Sequence, residues 1–169
     1  GLKRAYLGME TGSGELLAAI RKGVTAEEML RAGVTLRQAG MDLWVMALIG
    51  LAGRGEPSRR HALDTAAMVN EMRPRHLSAL TYTPMPGTPL YRDIQAGKFT
   101  PVTPREALEE TRVLLENLAV DPLHFTSDHP SNYVTLKGSL PQDRAAMLAQ
   151  IDAALRGERP IRSEPLRTL

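Results

Sequence analysis

Between Leu43 and Glu56 the chain reads LWVMALIGLAGRGE, and no other stretch limits its fold as tightly. Leu43, Val45, Met46, Ala47, Leu48, Ile49 and Leu51 form a nearly unbroken apolar run, the pattern of a central parallel strand covered on both faces. Gly50, Gly53 and Gly55 then break the run, so backbone can approach a ligand just past the carboxyl end of the strand, where α/β folds place their sites.

The neighbouring segments repeat this logic. Ala5 to Met9 reads as a short strand ending at Glu10-Thr11-Gly12-Ser13-Gly14, followed by a short helix from Glu15 to Arg21. Thr25 and Glu28 have capping-box spacing and open a helix that stops at Gly40. Ser58 is placed to cap a helix running to about Met72, and Leu77 to Thr83 predicts the next strand. TPMPGTPLY follows as a Pro-rich loop with an extended path, and Thr103 with Glu106 forms a second capping box before a helix reaching Leu118. Leu118 to Thr126 adds a further extended segment, and Pro141 to Arg156 a last helix. The alternation predicts an α/β protein of parallel βα units, either a doubly wound sheet or part of a (β/α) barrel. Residues 1–119 hold three βα units, residues 120–157 form an extension with a helix, and residues 158–169 are expected to pack poorly.

Composition narrows the function classes. Lys+Arg 21 against Asp+Glu 19 leaves a net +2 without a basic block, so nucleic acid is not an expected partner. No apolar run approaches a membrane span and no signal-peptide pattern opens the chain, so a cytoplasmic protein is expected. With Cys 0, disulfides, thiolate metal sites and cysteine nucleophiles are excluded within these residues. The glycine spacing G-x-x-G-x-G is not the dinucleotide fingerprint. His124, Asp128 and His129 share a loop without fixed ligand geometry, so no metal is expected there. Ser13, Ser127 and Ser131 have no base at a motif spacing. His61 is expected to face solvent or pair with a nearby carboxylate. Glu10, after the first strand, can accept hydrogen bonds from a ligand's hydroxyl pair, or cap the N–H groups of the turn beside it.

Three blocks in order, LKRAYLGMETGSGELLAAIRKGVTAEEM, LRQAGMDLWVMALIGLAGRGE and LSALTYTPMPGTPLY, resemble the carboxyl-terminal half of a radical S-adenosylmethionine enzyme. The later SDHPSNYVTLKGSLPQDRAAMLAQIDAAL is similar to the tail of Fe–S oxidoreductases described as relatives of biotin synthase or of the oxygen-independent coproporphyrinogen oxidase. The resemblance implies the fourth to sixth strands of a partial (β/α)6 barrel, beginning near Ala5, Leu43 and Leu77. It assigns Glu10, Thr11 and Ser13 to the ribose of S-adenosylmethionine. Leu48, Gly50 and Leu51, with Thr83, Pro84 and Met85, are assigned to its adenine. The fifth-strand pattern of the family places an acidic residue three or four positions after its glycine, where this chain has Gly53 and Arg54, with Glu56 later.

The family also holds a [4Fe–4S] cluster on a CxxxCxxC motif that this chain lacks. The expectation is therefore a piece of a longer enzyme. Its parent would reduce S-adenosylmethionine at the cluster to a 5′-deoxyadenosyl radical that abstracts hydrogen from a substrate, while this piece alone is inactive. The missing amino-terminal half is the expected partner, and self-association through an exposed first strand is expected without it. The alternative is a cluster-free α/β module that binds an adenosyl ligand or a protein. His129, Asn132 and Tyr133 are the candidates for substrate contacts, or else belong to a loop folded back to close the barrel.

Overall fold

The strand built by LWVMALI is present, but only one of its faces is covered. In the computed structural model, which describes residues 1–167, β2 (Asp42–Ile49) alternates strictly between half-buried and buried positions. Leu43, Val45, Ala47 and Ile49 point into the core, and Trp44, Met46 and Leu48 point to the other face. The expectation of two covered faces is corrected here. The apolar run is continuous because the second face, half-buried at Trp44, Met46 and Leu48, also carries apolar side chains.

The sheet has the order β1-β2-β3-β4-β5, with β1 at Arg4–Glu10, β3 at His76–Thr81, β4 at Leu123–Thr126 and β5 at Lys137–Leu140. The first four strands are parallel and β5 is antiparallel to β4. This is the expected α/β class with parallel βα units. The fifth strand was missed because KGSL carries a single large apolar residue, and its partner in sequence, LHFT, is equally short. Among the described residues β1 pairs on one side only, and its Tyr6 is 62% exposed.

Six helices follow from local signals. They are α1 (Gly14–Ala19), α2 (Ala26–Gln38), α3 (Glu56–Met72), α4 (Pro89–Gln95), α5 (Pro104–Asn117) and α6 (Arg144–Leu155). Both capping boxes form: the Thr25 and Thr103 hydroxyls accept the N–H of Glu28 and Glu106, and each Glu carboxylate accepts the threonine N–H in return. Two boundaries differ from expectation. α3 begins at Glu56 behind Gly55, because the Ser58 hydroxyl turns inward instead of capping. Part of the Pro-rich loop coils into α4, where Thr88 accepts the Tyr91 N–H and Pro89 occupies a first-turn position at which no N–H is required.

The core lies between the buried sheet face and α2, α3, α5 and α6. Met9, Leu43, Val45, Leu77 and Phe125 meet Met29, Met72, Leu115 and Ile151 there. The segment after Gly157, expected to pack poorly, lies against the rest of the chain as far as Arg167. The Arg162 N–H donates to the Tyr133 carbonyl, and the Arg167 side chain, 6% exposed, reaches the Ser131 carbonyl at 2.6 Å. The last residues of that segment, 168 and 169, lie outside the described residues.

Candidate functional site

At the carboxyl end of β1 the sheet register slips. Gly8 is level with Met46, but Glu10 is level with Ala47, and Glu10 adopts φ +64°. A left-handed glutamate is uncommon, and a bulge of this kind re-aims the side chain that follows it. Met9 goes into the core, and the Glu10 carboxylate turns over the strand end, 2.8 Å from Lys22 Nζ. The adjacent turn is capped without it. The Thr11 hydroxyl accepts the Ser13 N–H at 3.0 Å, and the Ser13 hydroxyl accepts the Leu16 N–H. Of the two sequence readings, Glu10 as the cap of its own turn is therefore not realised.

The carboxylate enters a cavity of about 660 Å³ across the ends of β1, β2 and β3. Its walls are mostly apolar, with Leu48 and Leu51 from the central strand and its turn, Ile20 behind α1, Leu90 from α4, and Met85 and Phe99 from the flanking loops. The polar groups are Glu10, Arg21, Lys22, Thr88, Asp93, Lys98 and the Tyr82 phenol, which burial raises above its ordinary value of 10.0. An apolar pocket with a small number of placed polar groups is the usual build of a small-molecule site.

The cavity gathers some of the sequence-assigned residues and leaves others out. Glu10, Leu48, Leu51 and Met85 share it. Thr11 is fully buried, with its hydroxyl held by the Ser13 N–H, and Ser13 is a helix cap; neither lines the cavity. Gly50 lies beneath the wall with its N–H already bonded, and Thr83 and Pro84 stand aside, with Arg167 reaching the Thr83 hydroxyl. Glu56 is exposed in the first turn of α3. Lys22, Leu90, Phe99 and Tyr82 were not read as site residues, because they are apolar or charged positions of ordinary appearance until the chain folds them onto one opening.

Beneath the Gly50 turn lies a buried polar cluster. Glu110 of α5 is 2% exposed, and one of its carboxylate oxygens accepts the Gly50 N–H at 2.7 Å and faces His61 Nδ1 at 3.0 Å. Its other oxygen accepts the Ser58 hydroxyl. A carboxylate accepts only, so the His61 proton resides on Nδ1, leaving a buried Nε2 with no hydrogen-bond partner among the described residues. His61 thus pairs with a carboxylate, one of its two expected roles. Gly50 itself is at φ +82°, where a Cβ would stand 2.6 Å from Val102 Cγ2, so the turn requires glycine.

The substrate candidates fold away from this mouth. Asn132 is buried, its amide donating to the Ala79 carbonyl and its oxygen accepting the Thr81 hydroxyl. The Tyr133 hydroxyl donates to Glu164 and accepts from Arg167, whose guanidinium lies 4.2 Å over the ring. His129 Nδ1 is engaged with Ser131. His129 lines a recess of about 240 Å³ shared with Met46, Ser78 and Asp128, whereas Asn132 and Tyr133 border only a void of about 10 Å³ among the described residues. The loop-closing reading describes Asn132 and Tyr133 better than a contact role does, since their polar groups are already paired inside the protein. Among the described residues no group of three or more His, Asp or Glu stands where it could hold a metal ion, and no helix is long and apolar enough to cross a membrane.

No protein-family model matches the chain, and no curated protein matches it. Among solved structures, the archaeal Methanocaldococcus infernus Elp3 with an amino-terminal deletion of residues 1–46 is similar, with a TM-score of 0.65 and 17% identity. The match covers 94% of this chain and 37% of that one, so the chain spans well under half the length of its structural neighbour. At this identity the likeness shows the fold alone, an α/β arrangement shared with that part of the archaeal protein.

Proposed function

We propose that the cavity at the strand ends is the adenosyl half of an S-adenosylmethionine site, within a protein of the radical S-adenosylmethionine kind related to the Fe–S oxidoreductases named above. The observation that carries this reading is Glu10. A bulge and a left-handed backbone turn its carboxylate into an apolar cavity at the carboxyl ends of three parallel strands, where it would accept hydrogen bonds from the hydroxyl pair of a ribose. Leu48, Leu51 and Met85 offer the apolar surface that an adenine ring needs.

The residues present fit the adenosyl group and not the cluster. Without a cysteine, this chain supplies no thiolate, so a [4Fe–4S] cluster would be held by other polypeptide, and the electron transfer it provides would originate there. What these residues would do is bind and orient the nucleoside and exclude water from it. The exposed outer edge of β1 would take the next strand of a completed barrel.

5′-Deoxyadenosine tests this directly, because it carries adenine and ribose and needs no cluster. Saturation-transfer NMR is expected to show its adenine and ribose protons in contact with the protein. Glu10→Ala should weaken the ribose signals more than the adenine signals, and Leu51→Asp should abolish both. Absence of saturable transfer at millimolar ligand refutes the reading. The absence of cysteine favours a second one, a cluster-free adenosyl-binding module, for which submicromolar affinity of this chain alone for S-adenosylmethionine is the distinguishing result.

A further inference from the structure

At the opposite, amino-terminal end of the strands lies a second cleft of about 590 Å³, bounded by Arg37, Arg73, Arg75, His76, His124 and Asp121. The backbone fixes this arrangement. His76 and His124 are level in the β3–β4 register, and their rings sit edge to face at 5.1 Å on the half-buried face of the sheet. Below them, the Arg75 N–H donates to the Leu43 carbonyl and the Arg75 carbonyl accepts the His124 N–H, which locks Arg75 between β2 and β4. Arg73 is the left-handed cap of α3, its N–H bonded to the Val69 carbonyl. Arg37 enters from α2, anchored through Nε on the Met72 carbonyl.

The end of a helix attracts positive charge, and that accounts for Arg37, which bonds a last-turn carbonyl of α3 directly. It does not account for Arg73 and Arg75. Elsewhere in the chain Arg4, Arg54, Arg105, Arg112 and Arg156 each find a carboxylate, whereas none of the three cleft arginines forms an ion pair among the described residues. Against three guanidinium groups and two imidazoles the walls place a single carboxylate, Asp121. His76 Nδ1 is also buried with no hydrogen-bond partner among the described residues. A cleft with uncompensated planar donors is built to receive an anion, and guanidinium forks match phosphate oxygens.

We propose that the cleft formed by Arg37, Arg73, Arg75, His76 and His124 binds the phosphate group of a small phosphorylated ligand. The volume exceeds what inorganic phosphate fills, so the rest of the ligand lies along Val120, Pro122 and Ser139. This site is on the opposite end of the sheet from the adenosyl cavity and stands or falls independently of it.

Inorganic pyrophosphate is the probe, followed through the imidazole C–H resonances of His76 and His124 in the full chain. Burial holds the His76 imidazole below its ordinary value of 6.5, with His124, Arg75 and Arg4 acting in the same direction and Asp42 opposing. A bound anion moves the His76 titration upward, and its charge beside the adjoining His124 ring perturbs that ring's C–H resonances as well. Saturable shifts of both resonances are expected. The double substitution Arg73→Ala/Arg75→Ala should weaken binding by about tenfold or more, while Arg31→Ala, the loss of one positive charge at an exposed position outside the cleft, leaves it unchanged. Both cleft arginines are exposed, so the fold should persist, and an unchanged circular-dichroism melt checks this. Shifts that fail to saturate overturn the proposal, as does equal weakening by Arg31→Ala. Affinity that keeps rising with polyphosphate chains far longer than the cleft also overturns it, since that is general attraction by surface charge.

Discussion

Replacing Glu110 tests whether the Gly50 turn, and so the cavity wall above it, is held from beneath by a buried carboxylate. In Glu110→Ala the Gly50 N–H, the Ser58 hydroxyl and His61 Nδ1 all lose their acceptor in a region from which water is excluded. Each unpartnered buried donor costs about 1–3 kcal/mol. Relief of the carboxylate's own desolvation and entry of water into the space left behind offset part of this. Three such donors less this relief leave a net cost of about 3–5 kcal/mol. For a chain of this length that corresponds to a fall in melting temperature of about 10 °C. Glu110→Gln differs in kind. Its amide oxygen still accepts from Gly50 and His61, and its NH2 group faces a Ser58 hydroxyl that rotates to accept, so a cost of about 1–2 kcal/mol is expected. Urea denaturation supplies the global values, and hydrogen exchange at the Gly50 amide supplies the local one, which should accelerate well beyond the global change in the alanine variant. If alanine costs less than about 1 kcal/mol, or glutamine costs as much as alanine, the carboxylate is not what holds the turn.

Gly12 approaches α3 so closely that a Cβ would lie 2.1 Å from the Asp64 carbonyl oxygen, whereas at Gly33 it would meet the flexible Met72 side chain. Gly12→Ala should therefore destabilise by more than the roughly 1–3 kcal/mol of ordinary overpacking, and by more than Gly33→Ala, as read from urea midpoints. The Asp42 carboxyl is held below its ordinary value of 3.8 first by the Trp44 indole N–H and then by Arg4. Its contribution is present above the unfolded value and lost as pH falls through the lower folded value, so Asp42→Asn should flatten the acid limb of a stability profile followed by Trp44 fluorescence. Tyr133 shows the opposite sign. Burial, and then its bond to Glu164, raise the phenol above 10.0, so stability should be full below the ordinary value and fall as pH rises past it. Tyr133→Phe should remove part of that alkaline loss, and an unchanged slope would place it elsewhere, with Tyr82 the other raised phenol.

Much of the fold was legible because the signals were local. The Thr25 and Thr103 capping boxes, the apolar run at Leu43 and the glycine stops each act within a few residues, and each produces the element its chemistry implies. Elements that failed to announce themselves are short or depend on partners. β5 exists because β4 offers it a ladder, and α4 because Thr88 and Pro89 start a helix inside a segment whose prolines otherwise favour extension. The site was legible only in part. Of the residues assigned to the ligand, Glu10, Leu48, Leu51 and Met85 line one cavity. Thr11 and Ser13 were drawn in by adjacency, yet a hydroxyl next to a site is as easily used to cap the turn that builds it.

The sequence by itself determined most of the strands and helices, β5 and α4 apart, since periodicity, capping and turn chemistry are properties of neighbouring residues. It determined equally that no thiolate chemistry belongs to these residues. Tertiary structure alone decided which polar groups meet. Glu110 lies 60 residues from Gly50, and His76 lies 48 from His124, and pattern along the chain carries no information about such pairs. Tertiary structure also decided that the central strand has one packed face and one open face. An apolar side chain facing a cavity has the same composition as one facing a core, and only the placement of the helices distinguishes them.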